Sequence, residues 1–440
     1  MMNILWTIKQ AIKKILPKPI LNLYHLTLAL LASIFYGFPS NKMIVVGITG
    51  TKGKSTSVKL ITKILETAGF KVGSTSTVEF KVGQKTWLND KKMTMVGRFA
   101  LQKLLKDMVK AKCQYAVIET SSEGIAQYRH VGIKYDIAVF TNLTPEHIES
   151  HGNFDNYKAA KLKLFARAKN TIVVNGDDAH ASEFINFKVL QKYSFQIDNR
   201  SSLGTEVEQV IATNLKLGLN GSSFNVEGIN FSLKLLGVFN VYNALAAIAA
   251  AQSQNIDLAT CKKALEQIKT IPGRLEFIDE GQNFQIIVDY AYDPRAFEQL
   301  FSVIKEMKPK GKVIHVFGAT GGGRDKARQP VMGKMSGGFA DVCVITNDDP
   351  YDDDPQTIIN RIAEGVKERG KKENENLFLI EDRRQAINKA LTLAQKNDIV
   401  LITGKGAEQA LVLAGNKKIP WDDRRVAREE LKNTHARKHT

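Results

Sequence analysis

The sequence predicts an α/β protein: a P-loop-containing central domain with a mostly parallel sheet covered by helices, followed by a smaller, Rossmann-like domain. Three observations support this fold class. The 440 residues suffice for two to three domains at about 150 residues each. Short apolar segments alternate with helical segments, as they do in parallel sheets. This alternation starts again near residue 272, which places the domain boundary there.

The elements of the first domain begin with a strand, a turn and a helix. Met43–Ile48 predicts a buried strand, and Lys54–Ala68 predicts the helix after a glycine-containing turn. Three further strands and one helix are predicted at Ala116–Glu119, Ile137–Phe140, Thr171–Val174 and Asn156–Ala168. Residues 196–235 alternate polar and apolar side chains, which indicates an antiparallel patch, and Asn240–Ala251 predicts a buried helix.

The second domain begins around Pro272-Gly273-Arg274. Each of its predicted strands is followed by a helical segment, and the strands are Gln285–Asp289, Lys312–Phe317, Asp341–Thr346 and Asp398–Thr403. This pattern is typical of a doubly wound sheet. We therefore divide the chain into a hydrophobic and basic helical segment at 1–40, a central domain at 41–271 and a C-terminal domain at 272–440.

Composition narrows the class of protein. With 43% hydrophobic and 24% charged residues, the chain is an ordinary globular protein, which excludes a largely disordered, collagenous or many-span membrane protein. A net charge of +17 favours anionic partners such as nucleotides, nucleic acid or acidic lipid, although a basic solvated surface gives the same surplus. The three cysteines lack CxxC spacing, so we expect small buried side chains in a reducing compartment.

A glycine-rich turn, Gly50-Thr51-Lys52-Gly53-Lys54-Ser55-Thr56, lies where the first strand meets the first helix. Glycines let the backbone wrap an anion, and the helix N-terminus favours phosphate. Lys54 adds a charge for the outer phosphates, and Ser55 or Thr56 can reach a magnesium ion. Ile48 replaces the first glycine of the strict pattern, so a chance Gly-Lys turn is the alternative.

Two later side chains are candidate metal ligands. Glu119 ends a predicted strand and His147 follows another, so both lie at the carboxyl edge of the sheet, where ligands bind. Together they offer an oxygen and a nitrogen to a divalent cation beside the phosphates. The alternative for either residue alone is an ordinary surface group or a satisfied hydrogen-bonding residue.

These motifs together resemble the Mur ligases, the ATP-dependent amide-forming enzymes of peptidoglycan synthesis. The resemblance runs from residue 43 to 430 and rests in the central domain on four segments: Thr49–Thr56, Glu119–Ser122, Thr141–Gly152 and Tyr157–Phe165. It implies that residues 50–56 bind ATP, and that Ser55, Glu119 and His147 hold Mg²⁺. It also implies that Lys161 is carbamylated, which would give it a negative group near the metal. A solvated helix lysine is the alternative for Lys161.

The resemblance assigns further ATP contacts. Asn240 and Asn243 match the family's helix that contacts the nucleotide base region, although Asn240 also suits a helix cap. Arg274 and Asp289 match residues that contact ATP from the second domain, and Arg274 would neutralise charge on the transferred phosphoryl group. Lys54, Lys161, His147 and Arg274 are thus the expected catalytic residues. Tyr292 replaces the histidine usual in the family's Asp-Tyr-Ala-His.

The substrate residues follow from the same resemblance. Four residues match positions that hold the sugar-peptide: Thr94, Ser121, Ser122 and Arg129. Four more match the site of the incoming amino acid in the tripeptide-synthetase branch: Asp348, Asp349, Tyr351 and Glu408. Diaminopimelate-adding enzymes carry an arginine where this chain has Tyr351, and losing it removes the bidentate grip on a distal carboxylate. The acidic run at 348–354 suits an amine, with an acidic exposed turn as the alternative.

The first forty residues depart from the family. In typical members of the family, about a hundred residues before the phosphate loop form a domain that binds uridine diphosphate. We expect this chain to lack that domain. Four lysines instead precede an apolar run from Ile20 to Phe38: Lys9, Lys13, Lys14 and Lys18. A full membrane span would place the ATP site outside the cytoplasm. A helix on the membrane surface, or packed against the protein itself, fits better, and a lipid-linked acceptor is the associated hypothesis.

The function that these observations favour is an ATP-dependent acid–amino-acid ligase that uses ATP and Mg²⁺. It would add an amino acid, such as the diamino acid L-lysine, to a muramyl-peptide carboxylate through an acyl phosphate. One alternative is the same chemistry on a lipid-linked, poly-amino-acid or folate-type acceptor. Another is a nucleotide-dependent binding protein without ligase activity. We expect a cytoplasmic monomer, without a nucleic-acid partner, that contacts the membrane peripherally through residues 20–38.

Overall fold

The computed structural model describes residues 17–146, 151–198, 203–323 and 326–438. The chain divides into two compact units, residues 1–269 and 270–440. Each unit has its own sheet, and the two are described separately below.

The sheet of the first unit has eleven strands among the described residues, in the order β11-β10-β9-β8-β7-β6-β1-β5-β2-β3-β4. Their bounds are β1 (Ile44–Thr49), β2 (Val72–Thr75), β3 (Glu79–Val82), β4 (Lys85–Leu88), β5 (Tyr115–Glu119), β6 (Ile137–Phe140), β7 (Thr171–Asn175), β8 (Gln191–Ile197), β9 (Glu208–Gly218), β10 (Gly221–Val226) and β11 (Ile229–Leu233). From β2 through β5, β1, β6, β7 and β8 to β9 the pairing is parallel. Both ends of the sheet are antiparallel hairpins.

Helices cover this sheet because apolar side chains recur along one face of each. Their bounds are α1 (Lys18–Tyr36), α2 (Lys54–Thr67), α3 (Arg98–Lys110), α4 (Ser122–Ala126), α5 (Phe154–Phe165), α6 (Ala181–Ile185), α7 (Val238–Gln252) and α8 (Leu258–Glu266). The central strands are buried along their whole length except at Ile44, the partly buried first residue of β1, as expected for a sheet covered on both faces. Stacked rings of Phe140 and Phe184, 3.8 Å between centroids, fill part of the core.

Helix α1 packs against the body of the first unit, through α3. Ala29, Ala32 and Ser33 are buried on its inner face, and Gln102 donates a hydrogen bond of 3.0 Å to Ser33 Oγ. The helix ends at Gly37, whose left-handed backbone (φ 71°) permits a main-chain bond to Ile34. The outer face carries exposed apolar side chains.

The second unit contains a smaller, mostly parallel sheet of six strands in the described residues, in the order β12-β13-β17-β14-β15-β16. Its strands are β12 (Glu276–Ile278), β13 (Gln285–Asp289), β14 (Val313–Phe317), β15 (Val342–Ile345), β16 (Leu377–Leu379) and β17 (Ile399–Thr403), and a separate hairpin is formed by β18 (Ala410–Leu413) and β19 (Lys417–Pro420). The helices are α9 (Pro294–Glu306), α10 (Arg328–Phe339), α11 (Pro355–Lys367), α12 (Arg383–Leu393) and α13 (Asp423–Lys438).

The predicted fold class is confirmed, and three local differences have physical causes. The β2–β3–β4 meander was missed, because its four-residue strands are too short to show periodicity. The patch at 196–235 is antiparallel across β9, β10 and β11, as predicted, but β9 also pairs parallel with β8 and so continues the parallel sheet. The last predicted strand is followed by the β18–β19 hairpin before the helix α13. All three cysteines are free and buried, as expected.

A fully buried histidine lies on the sheet of the second unit. His315 on β14 contacts the hydroxyls of Ser336 at 2.7 Å and Thr403 at 2.9 Å. Its ring stacks on Phe317 with centroids 4.5 Å apart. Burial lowers the pKa of His315 to about 3, so the folded chain holds the imidazole neutral.

We predict that this histidine makes the second unit sensitive to acid. The unfolded chain protonates His315 below pH 6.5, whereas the folded chain resists protonation down to about pH 3, so stability is complete above 6.5 and falls as the pH is lowered. When the pH is lowered from 7.5 to 5, the free energy of unfolding measured in urea should fall by about 2 kcal/mol more for the wild type than for His315→Gln. His180→Gln, at a partly buried histidine of the first unit, is the control for losing a histidine elsewhere in the chain. Equal losses in all three proteins would contradict the prediction.

Candidate functional site

The loop between β1 and α2 has a backbone that only glycine fits at two positions. Gly53, the N-cap of α2, has a φ of 84°. A Cβ placed there would lie 2.2 Å from Asn243 Oδ1, and one at Gly50 would lie 1.9 Å from Thr141 Oγ1. The loop therefore wraps tightly into the start of α2, whose free N–H groups are suited to an anion.

The end of β6 holds this loop in place. The main-chain N–H groups of Thr51 and Lys52 donate to the main-chain and side-chain oxygens of Asn142 at 2.8 and 2.9 Å. Thr141 Oγ1 donates to the Lys52 carbonyl at 2.7 Å. The Thr51 hydroxyl lies 3.0 Å from that of Tyr157 on α5. The sequence assigned no role to these three partners, because a motif does not show which strand end lies beside it.

Two lysines converge on the carbonyl of Gly50. Lys54 Nζ donates to it at 3.0 Å and to the Thr51 carbonyl at 2.8 Å. Lys161 Nζ, on α5, donates to the same Gly50 oxygen at 2.7 Å and is 1% exposed. Burial, with a smaller contribution from the charge of Lys54, lowers the pKa of Lys161 far below its usual value. Lys161 is therefore not the solvated lysine of the alternative interpretation.

A buried carboxylate lies beside the start of α2. Glu119 Oε2 accepts a hydrogen bond of 2.7 Å from Ser55 Oγ and another of 2.7 Å from the Thr77 main chain. Its other oxygen accepts from the Thr77 hydroxyl at 3.0 Å. Two predicted metal ligands, Ser55 and Glu119, are thus in direct contact. His147, the third, lies outside the described residues.

The donors fit a hard divalent cation. A carboxylate and a hydroxyl are oxygen ligands of the kind Mg²⁺ prefers, and Mg²⁺ uses one or two carboxylates together with phosphates and water. Lys161 as an ammonium does not fit, whereas a carbamate on its nitrogen would. No group of three or more His, Cys, Asp or Glu side chains suited to a metal occurs in the described parts of the chain.

The two predicted base-contacting asparagines lie behind the loop. Asn243 Oδ1 accepts from Ser57 at 3.4 Å, and Asn243 Nδ2 donates to Asn240 Oδ1 at 3.2 Å. Asn240 in turn donates to the Leu236 carbonyl at 2.8 Å. These hydrogen bonds hold Asn243 of α7 beside Gly53, so the start of α7 supports the loop.

The predicted acceptor residues lie together at the carboxyl edge of β5. Ser121 caps α4, and Ser122 Oγ lies 3.1 Å from His151 Nε2. Thr94 Oγ1 lies 2.9 Å from the Thr77 hydroxyl, which in turn donates to Glu119. Arg129 donates to the Met95 carbonyl. Thr77, missed by the sequence analysis, therefore connects the candidate metal ligand to the candidate acceptor residues.

In the second unit, Arg274 lies over the ring of Tyr290, 4.2 Å from its centroid. Asp289 caps the main chain around it by accepting from Leu275 at 2.8 Å and from Ala291 at 2.7 Å. Tyr290 donates to Glu408 Oε1 at 3.0 Å. Arg274 and Glu408 thus contact the same tyrosine.

Lys405 lies at the centre of an acidic cluster in this unit. Its ammonium is 2.6 Å from Glu408, 2.8 Å from Asp349 and 3.9 Å from Asp348. Burial alone would lower the pKa of Lys405, but the three carboxylates raise it above its usual value. Burial raises the pKa of Asp348. Because Asp348 and Asp349 are buried, they are not part of an exposed turn.

The remaining aspartates of the acidic run have structural roles. Asp352 accepts from the Gly415 main chain at 2.7 Å, Asp353 from Gly322 at 2.9 Å, and Asp354 caps α11. Tyr351, beside them, has a left-handed backbone, with a φ of 54°. Among the aspartates at 348–354, Asp348 and Asp349 are therefore the two that belong to the buried cluster around Lys405.

Comparisons with known proteins identify the family of both units. The profile of the Mur ligase middle domain matches residues 48–251, and that of the Mur ligase, glutamate ligase domain matches residues 273–406. A UDP-N-acetylmuramyl-tripeptide synthetase of Roseiflexus sp. (strain RS-1) is 37% identical, over 92% of this chain and 82% of that protein. A UDP-N-acetylmuramoyl-L-alanyl-D-glutamate–2,6-diaminopimelate ligase of Clostridium botulinum is 36% identical, over 92% and 81%.

A solved structure of a ligase with that same name is similar in fold. It is 28% identical to this chain, with a TM-score of 0.60, and the match covers 89% of this chain and 79% of that one.

We predict that Gly53→Ala weakens the binding of ADP by at least about tenfold. The new methyl group would collide with Asn243, and the left-handed backbone would be strained. Isothermal titration calorimetry measures the change. Gly69→Ala is the matched control, since Gly69 has a φ of 93° but no atom within 4 Å of the position a Cβ would take, and it should bind ADP like the wild type. Equal affinity of both variants would contradict the prediction.

Proposed function

The chain belongs to the Mur ligase family and is an ATP-dependent acid–amino-acid ligase of peptidoglycan precursor synthesis, and we propose that its incoming substrate is a diamino acid such as L-lysine. The acceptor is the carboxylate of a muramyl peptide. The observation that carries the ligase chemistry is the loop at 50–56, with two lysines at the Gly50 carbonyl and the contact between Ser55 and Glu119 beside it.

The chemistry follows from the weakness of a carboxylate as an acyl donor. A carboxylate oxygen attacks the terminal phosphorus of ATP, and ADP leaves, which gives an acyl phosphate. The uncharged amine then attacks the acyl carbon, phosphate leaves, and the nitrogen loses a proton. Lys54 would bind the phosphates, and Arg274 would offset negative charge on the transferred group. Thr94, Ser121, Ser122 and Arg129 would hold the acceptor in line for the attack.

Ser55 and Glu119 would hold Mg²⁺, together with His147. The cation would neutralise charge on the phosphate oxygens. Lys161 would contribute as a carbamate: burial favours its uncharged amine, and that is the form that reacts with carbon dioxide. Carbamylation would also replace a buried positive charge near Lys54 with a negative one.

The amino-acid preference rests on the cluster around Lys405. One ammonium faces three carboxylates, those of Asp348, Asp349 and Glu408. The other buried cation beside them, Arg383, is paired with Asp423 at 2.6 Å, so the cluster keeps an excess of negative charge that suits an amino group. Asp348 Oδ2 is buried without a hydrogen-bond partner among the described residues. Tyr351 cannot grip a second carboxylate as an arginine does. We therefore propose lysine or ornithine rather than diaminopimelate.

We predict that phosphate release requires both UDP-muramyl dipeptide and an amino acid. Mass spectrometry of the products should show lysine or ornithine added at least about tenfold faster than diaminopimelate, because Tyr351 lacks the guanidinium that pairs with a distal carboxylate. Tyr351→Arg should raise the rate with diaminopimelate, and Tyr351→Phe is the control. Slow hydrolysis without either substrate would instead support a nucleotide-binding protein without ligase activity.

We further propose that α1 lies on a membrane surface. Pro19–Tyr36 is long and apolar enough to cross a membrane, judged by length and composition, and it is the one such helix in the described residues. Its inner face is packed on α3, which leaves an apolar outer face that includes Leu23, 64% exposed, and Phe35, 74% exposed. The lysines of the first eighteen residues, with the net charge of +17, favour an anionic lipid surface. The monomeric state, the cytoplasmic location and the lack of a nucleic-acid partner stay predictions.

We predict that the double variant Leu23→Glu, Phe35→Glu loses at least about tenfold in binding to vesicles of phosphatidylglycerol and phosphatidylcholine. Leu23 and Phe35 are both more than half exposed, so each substitution places a charge on the outer face. Sedimentation with the vesicles measures binding of the full chain, and Lys112→Glu is a control for charge alone. Unchanged sedimentation, or a wild-type dimer that the variant dissociates, would contradict membrane binding.

A further inference from the structure

Two arginines of the first unit converge on one glutamine. Arg98, the first residue of α3, donates from Nη2 to the main-chain oxygen of Gln127 at 2.5 Å. Arg129 donates from Nη2 to the side-chain oxygen of Gln127 at 2.8 Å, and from Nη1 to the Met95 carbonyl. Within the described residues, all these acceptors are neutral oxygens. The sequence analysis named Arg129 but gave no role to Arg98.

This arrangement gathers positive charge that its hydrogen-bond partners do not balance. The Nε atoms of both arginines are buried without a hydrogen-bond partner in the described residues. Burial, with a contribution from Arg98, lowers the pKa of Arg129 to about 10, and the charge of Glu123 opposes this shift only in part. Burial also lowers the pKa of Arg98.

The start of α3 adds to the positive potential. Gly97 caps the helix without a side-chain hydrogen bond, and the first turn holds no acidic residue. A cation at a helix N-terminus is unfavourable, because the helix dipole is positive there. The positive charge of Arg98 therefore destabilises the protein when no ligand is bound. A bound anion would offset that cost.

We propose that Arg98 and Arg129 form a subsite for a doubly charged anionic group of the acceptor, distinct from the carboxylate that reacts. This inference rests on the proposed function. Arg129 matches a position that holds the acceptor in the family, and the segment at 94–97 packs on α4, since a Cβ at Gly124 would lie 2.5 Å from Met95 Sδ. The pair thus adjoins Thr94 and Ser121.

The chemistry of the pair defines the ligand. Planar guanidinium groups bind phosphate and carboxylate oxygens through two parallel hydrogen bonds, which an ammonium cannot do. Two such groups suit either a phosphate ester or two neighbouring carboxylates. Both belong to one class, a dianion carried by the acceptor, and small probes can distinguish them.

The test is Arg98→Gln in the full-length chain, with UDP-muramyl dipeptide as acceptor. The KM for the acceptor should rise about tenfold or more, while kcat and the KM for ATP stay within about twofold. Arg98→Lys should restore part of the loss. Lys103→Gln removes a positive charge from the exposed side of the same helix, and it should behave like the wild type. Equal effects of Arg98→Gln and Lys103→Gln, or no effect of either, would overturn the proposal.

A binding measurement separates this proposal from the proposed function, because it needs no turnover. Methyl phosphate and glutarate are titrated calorimetrically into the wild type and into Arg98→Gln. Binding of methyl phosphate that the variant loses would identify a phosphate ester, and the same result with glutarate would identify paired carboxylates. If neither probe binds the wild type, or if both bind the variant equally well, the subsite is refuted even when ligation proceeds.

Discussion

The first unit depends on the attachment of one loop to one strand end. The turn after β1 is fixed by Asn142 and Thr141 at the end of β6, and its Gly50 carbonyl accepts from both Lys54 and Lys161. Gly50 and Gly53 of the same turn have no side chain, which leaves room for these contacts. Because the loop is fixed before any ligand arrives, its N–H groups need little reorganisation to receive a phosphate.

Burial gives the charged residues of this protein their chemistry. Lys161 is buried beside another lysine and is driven towards its neutral form, whereas Lys405 is buried among three carboxylates and keeps its charge. The two lysines belong to the same residue type, and their environments push them in opposite directions. The contrast matches their proposed roles, since one would react with carbon dioxide and the other organises an acidic site.

Helix α1 and the arginine pair are neighbours in the first unit. Phe35 of α1 contacts Phe99, the residue after Arg98, with ring centroids 6.3 Å apart. An apolar outer face therefore lies close to a gathering of positive charge, both on the side of the unit that carries the proposed acceptor residues.

The sequence by itself determined the fold class and indicated a phosphate loop, because alternating strands and helices and a glycine-rich turn are local patterns. Most other candidate residues came from the resemblance to the Mur ligases and stay predictions. Tertiary structure alone decided which strand end supports the loop, that Thr77 links Glu119 to Thr94, and that Asp348 and Asp349 are buried while Asp354 caps a helix. It also brought Arg98 and Arg129 to the same glutamine. These facts depend on distances between residues far apart in the chain, and periodicity and spacing carry no information about such distances.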